Sequence, residues 1–89
     1  MEEEEVTKKA RTILRYLSKT DMCKILEISR GSIYKKLSDN SWKEYQKTLI
    51  EYIYSKMNTH KYITKVSIEN KNLIVEYKEK TSIKNIIPF

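Results

Sequence analysis

The chain has one cysteine, one histidine and one glycine in 89 residues. The lone Cys23 excludes an internal disulfide, and with His60 as the only imidazole no soft-ligand metal cluster can be assembled. Gly31, the only glycine, excludes a Gly-rich phosphate loop. No apolar run approaches the roughly 20 residues that a bilayer requires. The opening, Met1 followed by Glu2 to Glu5, is acidic, which is wrong for a signal or transit peptide. A cytoplasmic address is therefore expected. Single-stranded nucleic acid needs an exposed aromatic platform, and none is evident. Catalysis has no footing either. His60 sits among Asn58, Thr59 and Lys61 with no Cys or carboxylate motif nearby, and the Glu run lacks metal-loop spacing. Neither an enzyme nor a cofactor nor a small-molecule ligand is expected.

What is present is charge. The formal net charge is +6, with 39% hydrophobic and 34% charged residues, so the chain reads as a folded, soluble unit. A chain of this length makes one domain, here 1–89, whose core is modest enough that dimerisation would help it. The positive charge is densest between Val6 and Lys43, where Lys8, Lys9, Arg11, Arg15, Lys19, Lys24, Arg30, Lys35, Lys36 and Lys43 face only Asp21, Glu27 and Asp39. Such a distribution suits a nucleic-acid partner. The heavy use of Lys, Asn, Ile and Tyr also looks like the coding bias of an AT-rich genome, which alone would raise the basicity.

Periodicity divides the chain. From about Glu3 to Ser18, Val6, Ala10, Ile13, Leu14 and Leu17 recur at helical spacing, and the leading Glu run complements the positive end of the helix dipole. Thr20 can cap a short helix from Asp21 to Glu27, and Ser29 a third helix to about Leu37. Ser38 to Ser41 should break that helix. Ser41 and Glu44 have capping-box spacing and would open a fourth helix carrying Trp42, Tyr45, Leu49, Ile53 and Met57 on one stripe. After Asn58 the period becomes two. Tyr62, Thr64, Val66 and Ile68 alternate, Asn70-Lys71-Asn72 supplies a turn, and Leu73, Val75 and Tyr77 alternate again. The expected fold is α+β: four helices over about 3–58, an antiparallel hairpin over about 61–80, and an apolar tail at 81–89.

Thr20 to Leu37 reads as two helices meeting at a sharp angle. Cys23 is small enough for the crossing, Leu26, Ile28, Ile33 and Leu37 can wedge the corner, and Ser29 can launch the second helix. This segment, above all Ile28-Ser29-Arg30-Gly31-Ser32-Ile33-Tyr34, resembles the helix-turn-helix of small phage- and plasmid-type transcriptional regulators. That superfamily usually has Gly in the turn where this chain has Glu27. A side chain in a left-handed conformation there costs about 1 kcal/mol or more.

The resemblance implies sequence-specific binding of double-stranded DNA, with Ser29 to Leu37 lying in the major groove. It assigns base reading to Arg30, Ser32, Tyr34 and Lys35, with Arg30 able to form a bidentate pair with guanine. Thr20, Lys24, Ser29 and Lys36 are the phosphate candidates. Gly31 would allow close approach to DNA, or is simply tolerated in a first helical turn. The hairpin, with its tail, has three readings, the plainest being a sheet that covers the chain's own core. Lys61, Lys65, Lys71, Lys78 and Lys80 could make it a basic wing. Alternatively Val66, Ile68, Leu73, Val75, Ile83, Ile86 and Phe89 make it a homodimer interface, in the manner of the Cro-type repressors, which lack the fourth helix. From another class comes the alternative of a protein-interaction adaptor or inhibitor that binds its partner through hairpin and tail.

Overall fold

The first apolar stripe folds as helix α1 (Glu2–Ile13), which buries Val6, Ala10 and Ile13. Leu17 is buried just beyond it, where tighter bonds such as Tyr16 N–H to Ile13 O end the helix. The computed structural model describes residues 2–58 and 62–89; His60 and Lys61 lie outside the described residues. Helix α2 (Lys19–Leu26) starts two residues earlier than its expected cap would allow. Ser18, not Thr20, is the N-cap, its Oγ accepting the Asp21 N–H at 3.1 Å. Helix α3 (Arg30–Asp39) is capped by Ser29 as its sequence predicts, Oγ accepting from Ser32 N–H at 3.1 Å. It continues past Leu37 and ends at Asn40, whose left-handed backbone (φ 58°) returns its N–H to Lys36 O.

Helix α4 (Glu44–Met57) corrects the expected capping box. Ser41 and Trp42 precede the helix. Gln46 caps it instead, its Oε1 accepting the Lys43 N–H at 2.9 Å. The buried stripe is consequently Gln46, Ile50, Ile53 and Met57, while Tyr45 is exposed. Trp42 is nonetheless buried against the helices, anchored by a bond to Thr7. Helices α1 and α4 pack as the main pair, and Lys47 clamps them from outside through Glu3 (2.9 Å) and Glu44 (3.2 Å). The paired charges hold Glu3 below its ordinary carboxylate range and Lys47 above its ordinary ammonium range.

The two expected strands are β1 (Ile63–Glu69) and β2 (Asn72–Lys78), joined by the two-residue turn Asn70-Lys71. Both turn residues have positive φ (49° and 61°), the mirror-image turn whose twist matches a hairpin, formed here without glycine. The tail is a third strand, β3 (Ser82–Pro88), antiparallel to β2, so the sheet order is β1-β2-β3. The register places Val66, Ile68, Leu73, Val75 and Ile87 on one face, and that face closes the helical core. Full burial, as at Val66, Leu73 and Val75, contributes roughly 1.5–3 kcal/mol for each side chain. Among the described residues, no helix is long and apolar enough to cross a membrane.

Candidate nucleic-acid interface

The corner between α2 and α3 is built by Glu27. Its backbone is left-handed (φ 57°, ψ 45°), and its N–H turns back to Cys23 O and Lys24 O. The following Ile28 N–H bonds Cys23 O at 3.0 Å, which closes the six-to-one loop of a Schellman ending. The substitution expected to strain the turn therefore sits in the conformation that glycine favours. Tyr45 of α4 secures the corner from behind by donating its hydroxyl to Leu26 O at 3.1 Å. Cys23 is buried where the helices cross.

On α3 the helical period separates two faces. Ile33 and Leu37 are buried, while Arg30, Gly31, Tyr34 and Lys35 are exposed. Ser32 is half-buried, and Ser29 donates its hydroxyl to Ser32 Oγ at 2.9 Å. These two hydroxyls mainly serve the cap, which makes their backbone more than their side chains available to a ligand. Lys36 also departs from its expected role: its ammonium donates to Ser41 O at 2.9 Å and braces the end of α3. A Cβ added to Gly31 would meet nothing within 4 Å, so the chain's own packing does not require a glycine there.

Two concavities flank this face. Three of the expected phosphate residues, Thr20, Lys24 and Ser29, line one open depression of about 500 Å³ together with Arg30, Cys23, Glu27 and Ile28, while Lys36 is not in it. The other is a groove of about 330 Å³ between the end of α1 and α3, lined by Arg11, Leu14, Arg15, Lys19, Tyr34, Leu37 and Ser38. Its three cations were not among the sequence-derived site residues. The available signal was their spacing: Arg11 and Arg15 are one helical turn apart and off the apolar stripe, and Lys19 follows by another four residues. Arg11 is partly engaged by Leu37 O at 3.2 Å.

Tyr34 lines the second of these concavities, on the exposed face of α3. The Lys19 ammonium donates to its hydroxyl at 3.1 Å and lies 4.7 Å from the ring centroid. Lys19 first, and Arg30 in addition, stabilise the phenolate and hold the Tyr34 pKa below its ordinary value. Among the described residues, Lys19, Lys24, Arg30 and Lys35 make no ion pair with a carboxylate. Glu27 is the one carboxylate in either lining. The potential over this face is therefore positive. No group of three metal-ligating side chains occurs among the described residues.

The sheet alters the expected interface. Val66, Leu73 and Val75 are at most 2% exposed and belong to the chain's own core, so they cannot supply side chains to a second subunit. Ile68 and Ile83 are half-buried, leaving Ile86 and Phe89 as the exposed members of that set. Phe89 rests 5.8 Å from the Tyr52 ring of its own α4 rather than extending away. Lys65, Lys71, Lys78 and Lys80 are exposed, but on a sheet separate in sequence from α2 and α3. The chain matches no protein-family model, no curated protein and no solved structure.

Proposed function

We propose that this protein is a cytoplasmic, non-enzymatic binder of double-stranded DNA that reads the major groove with α3, as a small transcriptional regulator of the helix-turn-helix kind does. One observation carries the reading. An exposed helical face bearing Arg30, Tyr34 and Lys35 is backed by buried Ile33 and Leu37, and flanked by two cation-lined concavities without paired carboxylates. An α-helix fits the major groove, and an exposed guanidinium at its first turn can reach a guanine edge. Arg30 and Lys35 are the base-reading side chains, with Tyr34 directed by Lys19. Lys24 and Thr20 on one flank, and Arg15, Lys19 and Arg11 on the other, contact phosphates and set the orientation.

Selection of bound sequences from a random duplex pool tests this reading directly. Enrichment of one motif is expected, and Arg30→Ala should weaken binding to that motif more than to random duplex. A salt series supplies the complement: each phosphate charge neutralised adds about 0.9 to the slope of log affinity against log salt. Binding that is absent or insensitive to salt would defeat the proposal and favour the adaptor reading.

A further inference from the structure

The two edges of the sheet are finished differently. On β1, the Val66 N–H is taken by Tyr16 O at 3.2 Å, just past α1, and the register slips between Ile63 and Lys65, so that edge is interrupted along its middle. On β3, the ladder's parity follows from two bonds. Phe89 N–H donates to Lys71 O and Glu79 N–H to Thr81 O, so odd-numbered residues bond toward β2. The backbone groups of Ser82, Lys84, Ile86 and Pro88 then point outward. Among the described residues, only the last is covered, by the Tyr52 hydroxyl donating to Pro88 O at 2.8 Å. Ile86, beside this open stretch, is 62% exposed.

We propose that a second copy of this chain occupies the β3 edge, pairing β3 with β3 antiparallel about a two-fold axis at Asn85. The order of residues selects this register. With Asn85 opposite its counterpart, Ile83 meets Ile87 of the second copy on the core-facing side. On the outer side Lys84 lies against Ile86, so its alkyl stem covers that exposed surface. A two-fold at Lys84 would instead set two ammonium groups face to face, which is destabilising. Parity agrees: Asn85 bonds inward, so it forms a non-hydrogen-bonded pair at the axis, while Lys84 and Ile86 exchange backbone bonds across it. The result is one continuous sheet of six strands, three from each chain. This mode differs from a side-chain interface, because Val66, Leu73 and Val75 stay in their own cores.

Sedimentation of the full chain without DNA, from micromolar to hundred-micromolar concentration, tests the pairing separately from nucleic-acid binding. A monomer–dimer equilibrium is expected, with the dimer lost in Ile86→Pro, which deletes an outward donor. Should that variant fail to fold, Asn85→Cys decides. Its thiols would be close enough across the axis for a disulfide, so oxidation should yield a covalent dimer, whereas Ile83→Cys and the natural chain, whose Cys23 is buried, should not. A chain monomeric throughout, or a dimer that Asn85→Cys does not cross-link, would overturn the proposal and leave this edge to a strand from a different protein.

Discussion

The indole N–H of Trp42 donates to Thr7 Oγ1 at 2.8 Å, in a buried contact between residues 35 positions apart. Thr7 Oγ1 in turn lies 2.6 Å from Asn40 Oδ1, to which it donates. One hydroxyl therefore joins α1, the left-handed end of α3 and the segment leading into α4. It explains how a tryptophan outside every helix is still held in the core.

Thr7→Val keeps the side-chain shape and removes the acceptor. With the indole N–H left unsatisfied, unfolding free energy should fall by roughly 1–3 kcal/mol. Chemical denaturation monitored by Trp42 fluorescence measures it, and Thr7→Ser should recover most of the loss. An unchanged midpoint in Thr7→Val would show that the indole bond contributes nothing.

Glu27→Gly should stabilise the fold by up to about 1 kcal/mol, because the left-handed backbone at φ 57° burdens any residue with a Cβ. The greater freedom that glycine has when unfolded offsets part of this gain. The substitution also removes the carboxylate from the depression beside Lys24 and Arg30, so affinity for duplex DNA should rise at low salt. Thermal melting and a binding titration read the two effects independently.

Gly31→Ala separates what the fold needs from what a partner needs. The added methyl meets no atom of the chain, and alanine is the better helix former, so stability should increase by roughly 0.5–1 kcal/mol. If α3 lies against base edges, the same methyl should weaken specific binding. A variant that is more stable and binds its site equally well would mean that the helix does not approach so closely.

Lys19→Met should raise the titration midpoint of Tyr34 toward the ordinary value of 10.0, since the ammonium bond is the first cause of its depression. The direction is fixed by charge: a neighbouring cation favours phenolate, and removing it makes the proton harder to lose. Resonances of the Tyr34 ring followed by NMR through alkaline pH resolve it from the other tyrosines. A midpoint that does not move would place the ammonium away from Tyr34 in solution.

Local chemistry made much of the fold legible. The apolar spacing of Val6, Ala10 and Ile13, the Ser29 cap and the alternation through Val66 and Val75 each act through near neighbours, and each appears where it was expected. The failures share a different cause. Ser18 and Thr20 are both capable caps, and Ser41 and Gln46 both offer polar side chains at the start of α4, so local chemistry leaves the choice open; Leu17 and Trp42, beside these starts, are buried. The tail was legible as apolar, but its pairing with β2 depends on a long-range register that Ile83, Ile86 and Ile87 do not encode locally. In the candidate site, Arg30 and Lys24 could be read from their helix, whereas Lys36 and Ser29 are diverted to neighbouring carbonyl and hydroxyl groups. Lys19 carries a signal in its spacing from Arg11 and Arg15, but its bond to Tyr34 depends on how α2 lies against α3.

The clamp around Lys47 belongs to a wider asymmetry. Glu5, Glu44 and Glu51 gather with Lys9 and Lys47 along the groove between α1 and α4, whereas Arg11, Arg15 and Lys19 line the groove on the other side of α1. The molecule therefore carries an electric moment across its first helix. In the field of a polyanion it would be turned before contact, acidic groove outward, so that productive collisions outnumber those of a randomly tumbling body at low ionic strength and lose that advantage as salt is added.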